Sequence, residues 1–204
     1  MANDSIPRGL VPLRWPSIPL NVYRVSTGVD LFLGIPVERA ADGYIGPINL
    51  DSQGAVQSIG VVVGFLGTKK AGLATNDPFL DVSDLTPPTP SSDTGDRYAL
   101  VADDPDQEFV VQEDTGGTAL ALADNGLVGA MLYRATSGNT DTGWANLEID
   151  ASSFAAGNSG VVQLLRLHDL VNTDGTENSV GDYAKWIVRL NNHQKRSGIS
   201  PVPA

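Results

Sequence analysis

The 204-residue sequence contains no cysteine. A disulfide framework, a thiolate nucleophile and a cysteine-based metal site are therefore excluded, and stability must come from packing and strand pairing. Histidine is nearly absent as well, with only His168 and His193. No apolar run is long enough to span a bilayer: the longest, residues 59–66, is broken by Gly60 and Gly64. The opening residues, Met1-Ala2-Asn3-Asp4-Ser5, lack the basic stretch and apolar run of a secretory signal, so none is expected. Positive charge is scarce. Thirteen Lys and Arg face 24 Asp and Glu, for a formal net charge of −11, which disfavours generic nucleic-acid binding.

What is abundant is Gly and Pro, 22 and 13 residues, beside a hydrophobic fraction of 41%. That combination supports a packed core built from short strands and turns rather than long helices. The charge is also uneven. Between Asp77 and Asp114 only Arg97 opposes a dense set of carboxylates, whereas Arg8, Arg14, Arg24, Lys185, Arg189, Lys195 and Arg196 lie toward the ends. The acidic middle reads as a solvated face, and the basic ends as candidates for contact with a partner.

Residues 1–24 read as an extended N-terminal arm. Pro7, Pro12, Pro16 and Pro19 forbid a regular helix, while Leu10, Val11, Leu13, Trp15, Ile18 and Leu20 are too apolar for a free tail. Such an arm lies either across a partner or on its own domain. A first β lobe is expected over 25–85, with a strand pair or bent strand at 29–39 and a β-branched strand at 55–65. The Pro/Ser/Thr-rich segment 86–96 reads as a linker or long loop, followed by a second β lobe over 97–193. Within it, 97–102 and 108–112 flank Asp103-Asp104-Pro105-Asp106 and are expected to form a hairpin. One or two helical turns are expected near 118–124, and further strands at 127–135, 145–149, 160–170 and 184–190. In the last, Trp186, Val188 and Leu190 share one face, the pattern of a half-buried strand. Residues 194–204 are expected to be a flexible C-terminal tail. The fold class is therefore all-β: sandwich or barrel-like lobes of short antiparallel strands, with the N-terminal arm and little helix.

Chemical motifs are sparse. Gly157-Asn158-Ser159-Gly160 resembles the serine surround of chymotrypsin-like proteases, but both histidines follow the serine and the motif's aspartate is Asn158. Ser159 and His168 are the nearest approach to a hydrolase pair. Asp-Thr-Gly at Asp93, Asp114 and Asp141 is explained by turn chemistry. Asp103, Asp104, Asp106 and Glu108 could offer oxygen ligands to calcium, although the EF-hand spacing is not met. No phosphate-binding glycine loop or zinc motif is present. The chain thus reads as non-enzymatic, with no cofactor and no metal. Trp144, following Thr142-Gly143 at a loop end, is the aromatic residue suited to an interface.

Three stretches carry a family resemblance: residues 31–37 with the valine-rich 60–65; residues 98–105 leading to 109–114; and Ala184-Lys185-Trp186-Ile187-Val188-Arg189-Leu190-Asn191-Asn192-His193. Together they resemble the cement or decoration proteins that coat capsids of tailed bacteriophages. The resemblance spans roughly residues 20–193 and transfers no catalytic residue. It implies a virion protein on the outer capsid surface that binds the major capsid protein and clamps neighbouring subunits. It also implies assembly with other copies of itself, as a trimer or a dimer, with no nucleic acid or membrane as partner. On that reading Leu10, Val11, Leu13, Arg14, Trp15, Ile18, Leu20 and Trp144 would contact the capsid or adjacent subunits. The alternative is a virion-surface module that binds host or glycan, such as a head fibre or tail-associated protein.

Overall fold

The computed structural model describes residues 3–13, 20–26, 29–50, 57–66, 79–80, 98–139, 141–155, 160–173 and 175–196. Within these the chain is all-β. In order, the strands are β1 (Val11–Pro12), β2 (Leu20–Arg24), β3 (Leu31–Phe32), β4 (Pro36–Arg39), β5 (Ile45–Pro47), β6 (Ser58–Leu66) and β7 (Phe79–Leu80). They continue with β8 (Tyr98–Ala102), β9 (Glu108–Gln112), β10 (Val128–Gly129), β11 (Met131–Gly138), β12 (Ala145–Ile149), β13 (Val162–Leu167) and β14 (Lys185–Leu190). The only helix among the described residues is two short 3-10 turns, Leu122–Asp124 and Ala151–Ser153. No described helix is long and apolar enough to cross a membrane.

Two five-stranded antiparallel sheets organise the molecule. One has the order β1-β9-β14-β13-β10 and the other β2-β8-β6-β4-β5; β11 pairs with β12, and β3 with β7. Both large sheets contribute to one hydrophobic cluster, with Phe109, Val111, Trp186, Val188 and Leu164 from the first and Val37, Val61, Ala99 and Val101 from the second. Trp186 is fully enclosed, at 0% exposure.

The division between sheets does not follow the two lobes expected from the sequence. β8 belongs with β6 and β2, pairing Val62 with Val101 and Val22 with Leu100. β9 instead pairs with β14, Val111 opposite Trp186. The expected hairpin of 97–102 with 108–112 is therefore a crossover between sheets at 103–107. The segment 86–96 lies outside the described residues. Alternation of burial is the same in β8 and β9. It states which face is inward but not which strand is the neighbour, so sequence adjacency was misleading.

The strand pair or bent strand expected at 29–39 is β3 and β4, separated around Gly34 and placed in different sheets. Pro36 opens β4, where a missing N–H is tolerated. The strand expected at 127–135 splits at Ala130, with β10 in a large sheet and β11 paired to β12. At 118–124 the helical reading reduces to the turn Leu122–Asp124, where the Asp124 carboxylate accepts the Ala121 N–H at 2.7 Å. Residues 194–196 are not a free tail. Gln194 N–H donates to Ser58 O at 2.8 Å, and His193 bridges to Ser58 beside it.

Candidate partner-binding surface

The N-terminal segment packs on its own chain as far as residue 13. Asn3 Nδ2 donates to the carbonyls of Ser179 and Asp182 at 2.8 and 3.0 Å. Ile6 N–H donates to Gln112 Oε1 at 2.7 Å, and Leu10 N–H to Gly34 O at 2.9 Å. Leu10 lies in the core at 0% exposure, so it cannot face a partner. Val11 is half-buried in β1, opposite Val110. Leu13 N–H donates to Glu108 O at 2.9 Å, and Leu20 opens β2. Arg14, Trp15 and Ile18 fall outside the described residues. The arm is thus a strap on its own domain over 3–13, for a simple reason. Prolines exclude helix but not edge pairing, and Pro12 sits on β1 at the margin of its sheet.

Val11 and Trp144 do come together. With Pro12, Leu33, Val62 and Val63 they line an apolar groove of about 370 Å³. The turn before Trp144 explains its position. Asn139 Oδ1 accepts the N–H groups of Asp141 and Thr142 at 2.9 and 3.1 Å, and Trp144 O accepts from Asn139 N–H at 2.9 Å. Leu33 then bridges to Trp144: Leu33 N–H donates to Gly143 O and Ala145 N–H to Leu33 O, each at 2.8 Å. The Arg8 guanidinium sits 6.0 Å from the centre of the Trp144 ring, at the outer limit of a cation–π contact. The sequence singled out Val11 and Trp144. It placed Leu33, Val62 and Val63 in strands without showing that four separate segments converge.

The C-terminal basic residues are engaged within the chain. Lys185 is buried, and its ammonium donates to the carbonyls of Asp4 and Tyr183. Arg189 Nε donates to Gln163 Oε1 at 2.8 Å. Arg196 pairs with Asp106, and Lys195 with Asp103. These residues hold the fold rather than present free charge.

The same contacts account for the acidic crossover. Asp103 is buried and accepts from Asn21 Nδ2 at 2.9 Å, from the Tyr23 hydroxyl and from Lys195. Asp104 accepts Asp106 N–H at 2.9 Å, and Glu108 pairs with Arg166 at 3.4 Å. The four carboxylates considered for calcium therefore point to different partners. No group of three metal-ligating side chains is found among the described residues.

Burial alone would raise the pKa of Asp103. Hydrogen bonds from Lys195, Tyr23 and Asn21, with the Lys195 charge, outweigh it and hold the carboxyl below its usual value. A depressed carboxylate contributes stability above its unfolded pKa and loses it as pH falls through the folded one. Lys195→Ala should cost about 1–2 kcal/mol at neutral pH, because Asp103 keeps Asn21 and Tyr23 but loses its countercharge. Urea unfolding should show that deficit shrinking as pH falls below the ordinary carboxylate range. A deficit independent of pH would detach Lys195 from Asp103.

The catalytic motifs gain no geometry. Asp114 Oδ1 accepts Ala151 N–H at 3.1 Å, and its other oxygen accepts Gly116 N–H at 3.3 Å, which makes it a loop organiser. Asp141 lies in the turn before Trp144. Ser159 and Asp93 lie outside the described residues. His168 and His193 each carry one ring nitrogen shielded from solvent with no hydrogen-bond partner among the described residues, and burial lowers both pKa values.

Comparison of the chain with protein-family models, with curated proteins and with solved structures finds no match.

Proposed function

We propose that this chain is a structural virion protein that binds the outer surface of a phage capsid and stabilises contacts between major capsid protein subunits. The observation that carries the reading is the apolar groove at Trp144 and Val11, a concave surface of about 370 Å³ without a catalytic group in its lining. An aromatic ring in such a groove is a common anchor for a partner side chain. The edge strand β2 adds a second feature, with Val22 at 51% exposure on an outer strand of its sheet. An exposed edge is suited to strand addition. Repetition over a symmetric shell would turn modest single contacts into tight overall attachment. The resemblance of residues 20–193 to phage cement proteins points the same way.

Removing the N-terminal segment would be a poor test, because Leu10 belongs to the core. A point change in the groove is cleaner. Trp144→Asp should weaken co-sedimentation with mature capsids by about ten-fold or more, since it places a charge in a desolvated anchor site. The melting temperature should move far less than it does for a core substitution. Full retention on capsids would remove the groove from the contact. Loss of binding to a glycan array, with capsid binding intact, would favour the host- or glycan-binding module instead.

A further inference from the structure

The segment after β14 is fastened by a buried histidine. His193 lies beside β6 through a parallel bridge to Ser58 and is 2% exposed. Its Nδ1 accepts the Lys195 N–H at 3.1 Å, and its carbonyl accepts the Arg196 N–H at 2.9 Å. A ring nitrogen that accepts a hydrogen bond carries no proton, so the neutral ring holds its proton on Nε2. Nε2 is shielded from solvent with no well-formed hydrogen bond among the described residues.

The residues around this ring form a clasp. Ser58 N–H donates to Asn192 O at 2.9 Å, and Gln194 N–H returns to Ser58 O at 2.8 Å. Gln194 Nε2 reaches Arg39 O at 3.2 Å. Lys195 then pairs with Asp103 and Arg196 with Asp106, both on the crossover between the sheets. Residues 193–196 thereby join β4, β6 and the crossover.

A protonated ring does not fit this arrangement. Imidazolium carries a proton on both nitrogens. The proton on Nδ1 would meet the Lys195 N–H donor to donor, so the ring would lose the contact that positions it. A positive charge would also enter a buried site beside the Lys195 ammonium. Asp103 and Asp104 on the crossover favour a charged ring, as does the Ile59 backbone. Burial first, and then the Lys195 charge, outweigh them and hold the His193 pKa below its ordinary 6.5. The other charged and titratable groups at the clasp are already engaged. Arg196 is on Asp106, and the Tyr23 hydroxyl of β2 is on Asp103. Arg39 of β4 meets the segment through its main-chain carbonyl.

We propose that His193 is a pH-sensitive latch, which holds residues 194–196 on the body of the protein while its ring is neutral and frees them, with the charges of Lys195 and Arg196, when it is protonated. A histidine held neutral in the closed state contributes its full stability above its free pKa. That contribution is lost as pH falls below about 6.5 toward the closed-state value. Asp103, held below its usual value, stays ionised through this window, so the opening is not a titration of its ion pair. The latch is independent of the coating role and acts on the chain itself.

The test is nuclear magnetic resonance of the full chain between about pH 7.5 and about pH 5.5. The His193 ring should titrate below about 6.5, starting from the tautomer with its proton on Nε2. Amide protection of Lys195, corrected for the intrinsic exchange rate, should fall over that range by up to about ten-fold. Trp186 and Val188 in β14 should keep their protection. His193→Gln cannot ionise and should show equal Lys195 protection at both ends of the range. His168→Gln, which removes the other histidine, should keep the parent's step. Constant Lys195 protection in the parent chain would overturn the latch, and this result does not depend on any variant folding. A step that survives in His193→Gln, or that disappears in His168→Gln, would overturn it as well.

Discussion

Gly34→Ala is expected to destabilise the chain by about 3 kcal/mol or more, measured by urea unfolding. Gly34 has φ +83°, a left-handed conformation, and a Cβ built there would lie 2.2 Å from Arg8 O. Neither backbone can retreat freely. Leu10 N–H donates to Gly34 O at 2.9 Å, and Gly34 N–H donates to Val62 O at 2.8 Å. Gly9, at φ +63°, makes the reciprocal approach, its Cβ position 2.5 Å from Gly34 O. The crossing of these two glycines seats the N-terminal strap, and with it Leu10 and β1, beside the Trp144 groove that Val11 and Pro12 line. Gly175→Ala is the control. Its φ of +82° is equally left-handed, but among the described residues nothing lies within 4 Å of the added carbon. It should cost only about 1 kcal/mol, the conformational part alone. If the two variants were equally stable, the close crossing would have no energetic weight.

Glu113→Ala is expected to be comparably severe, about 3–5 kcal/mol. Glu113 is a charged residue at 0% exposure inside the core. One carboxylate oxygen accepts Trp186 Nε1–H at 2.7 Å and the other accepts Leu120 N–H at 2.8 Å. Alanine would strand both donors in an apolar surround and leave a cavity. Glu113→Gln retains one acceptor oxygen and should cost roughly half as much.

The pH dependence distinguishes this account from simple loss of volume. Burial raises the pKa of Glu113, against the lowering effect of the two donors. A carboxyl whose folded pKa is raised contributes its full stability below the unfolded value, and loses it as pH rises through the folded value. The gap between the parent protein and Glu113→Gln should therefore narrow as pH rises above the ordinary carboxylate range. A constant gap would mean that Glu113 does not titrate differently in the folded chain.

Glu113, Asp103 and Lys185 are buried charged residues that the sequence does not reveal. The strand at 184–190 was legible, since Trp186, Val188 and Leu190 alternate and all three are buried. The expectation that it is half-buried is overturned. Lys185 and Ile187 on the opposite face are buried as well, and Lys185 bonds to Asp4 on a strap distant in sequence. Glu113 and Asp103 read as part of a solvated acidic run, yet both are buried. Whether a carboxylate finds donors is decided by residues such as Trp186, Asn21 and Lys195, which no local spacing reveals.

The all-β class followed from turn residues and β-branched runs, which act locally. Strand order did not, because β8 and β9 carry the same burial pattern and part to different sheets. The Trp144 site was half legible. A turn followed by an aromatic pointed to it, but only the bridge from Leu33 and the approach of Val11 make a groove there.

The most direct test of the coating role is cryo-microscopy of particles purified from the source of this sequence. The account predicts density for the chain on the outer face of the shell, at seams between major capsid protein subunits, with the Trp144 groove turned toward the shell. Mature particles that lack the chain, or that carry it with that groove facing solvent and β2 unpaired, would contradict it.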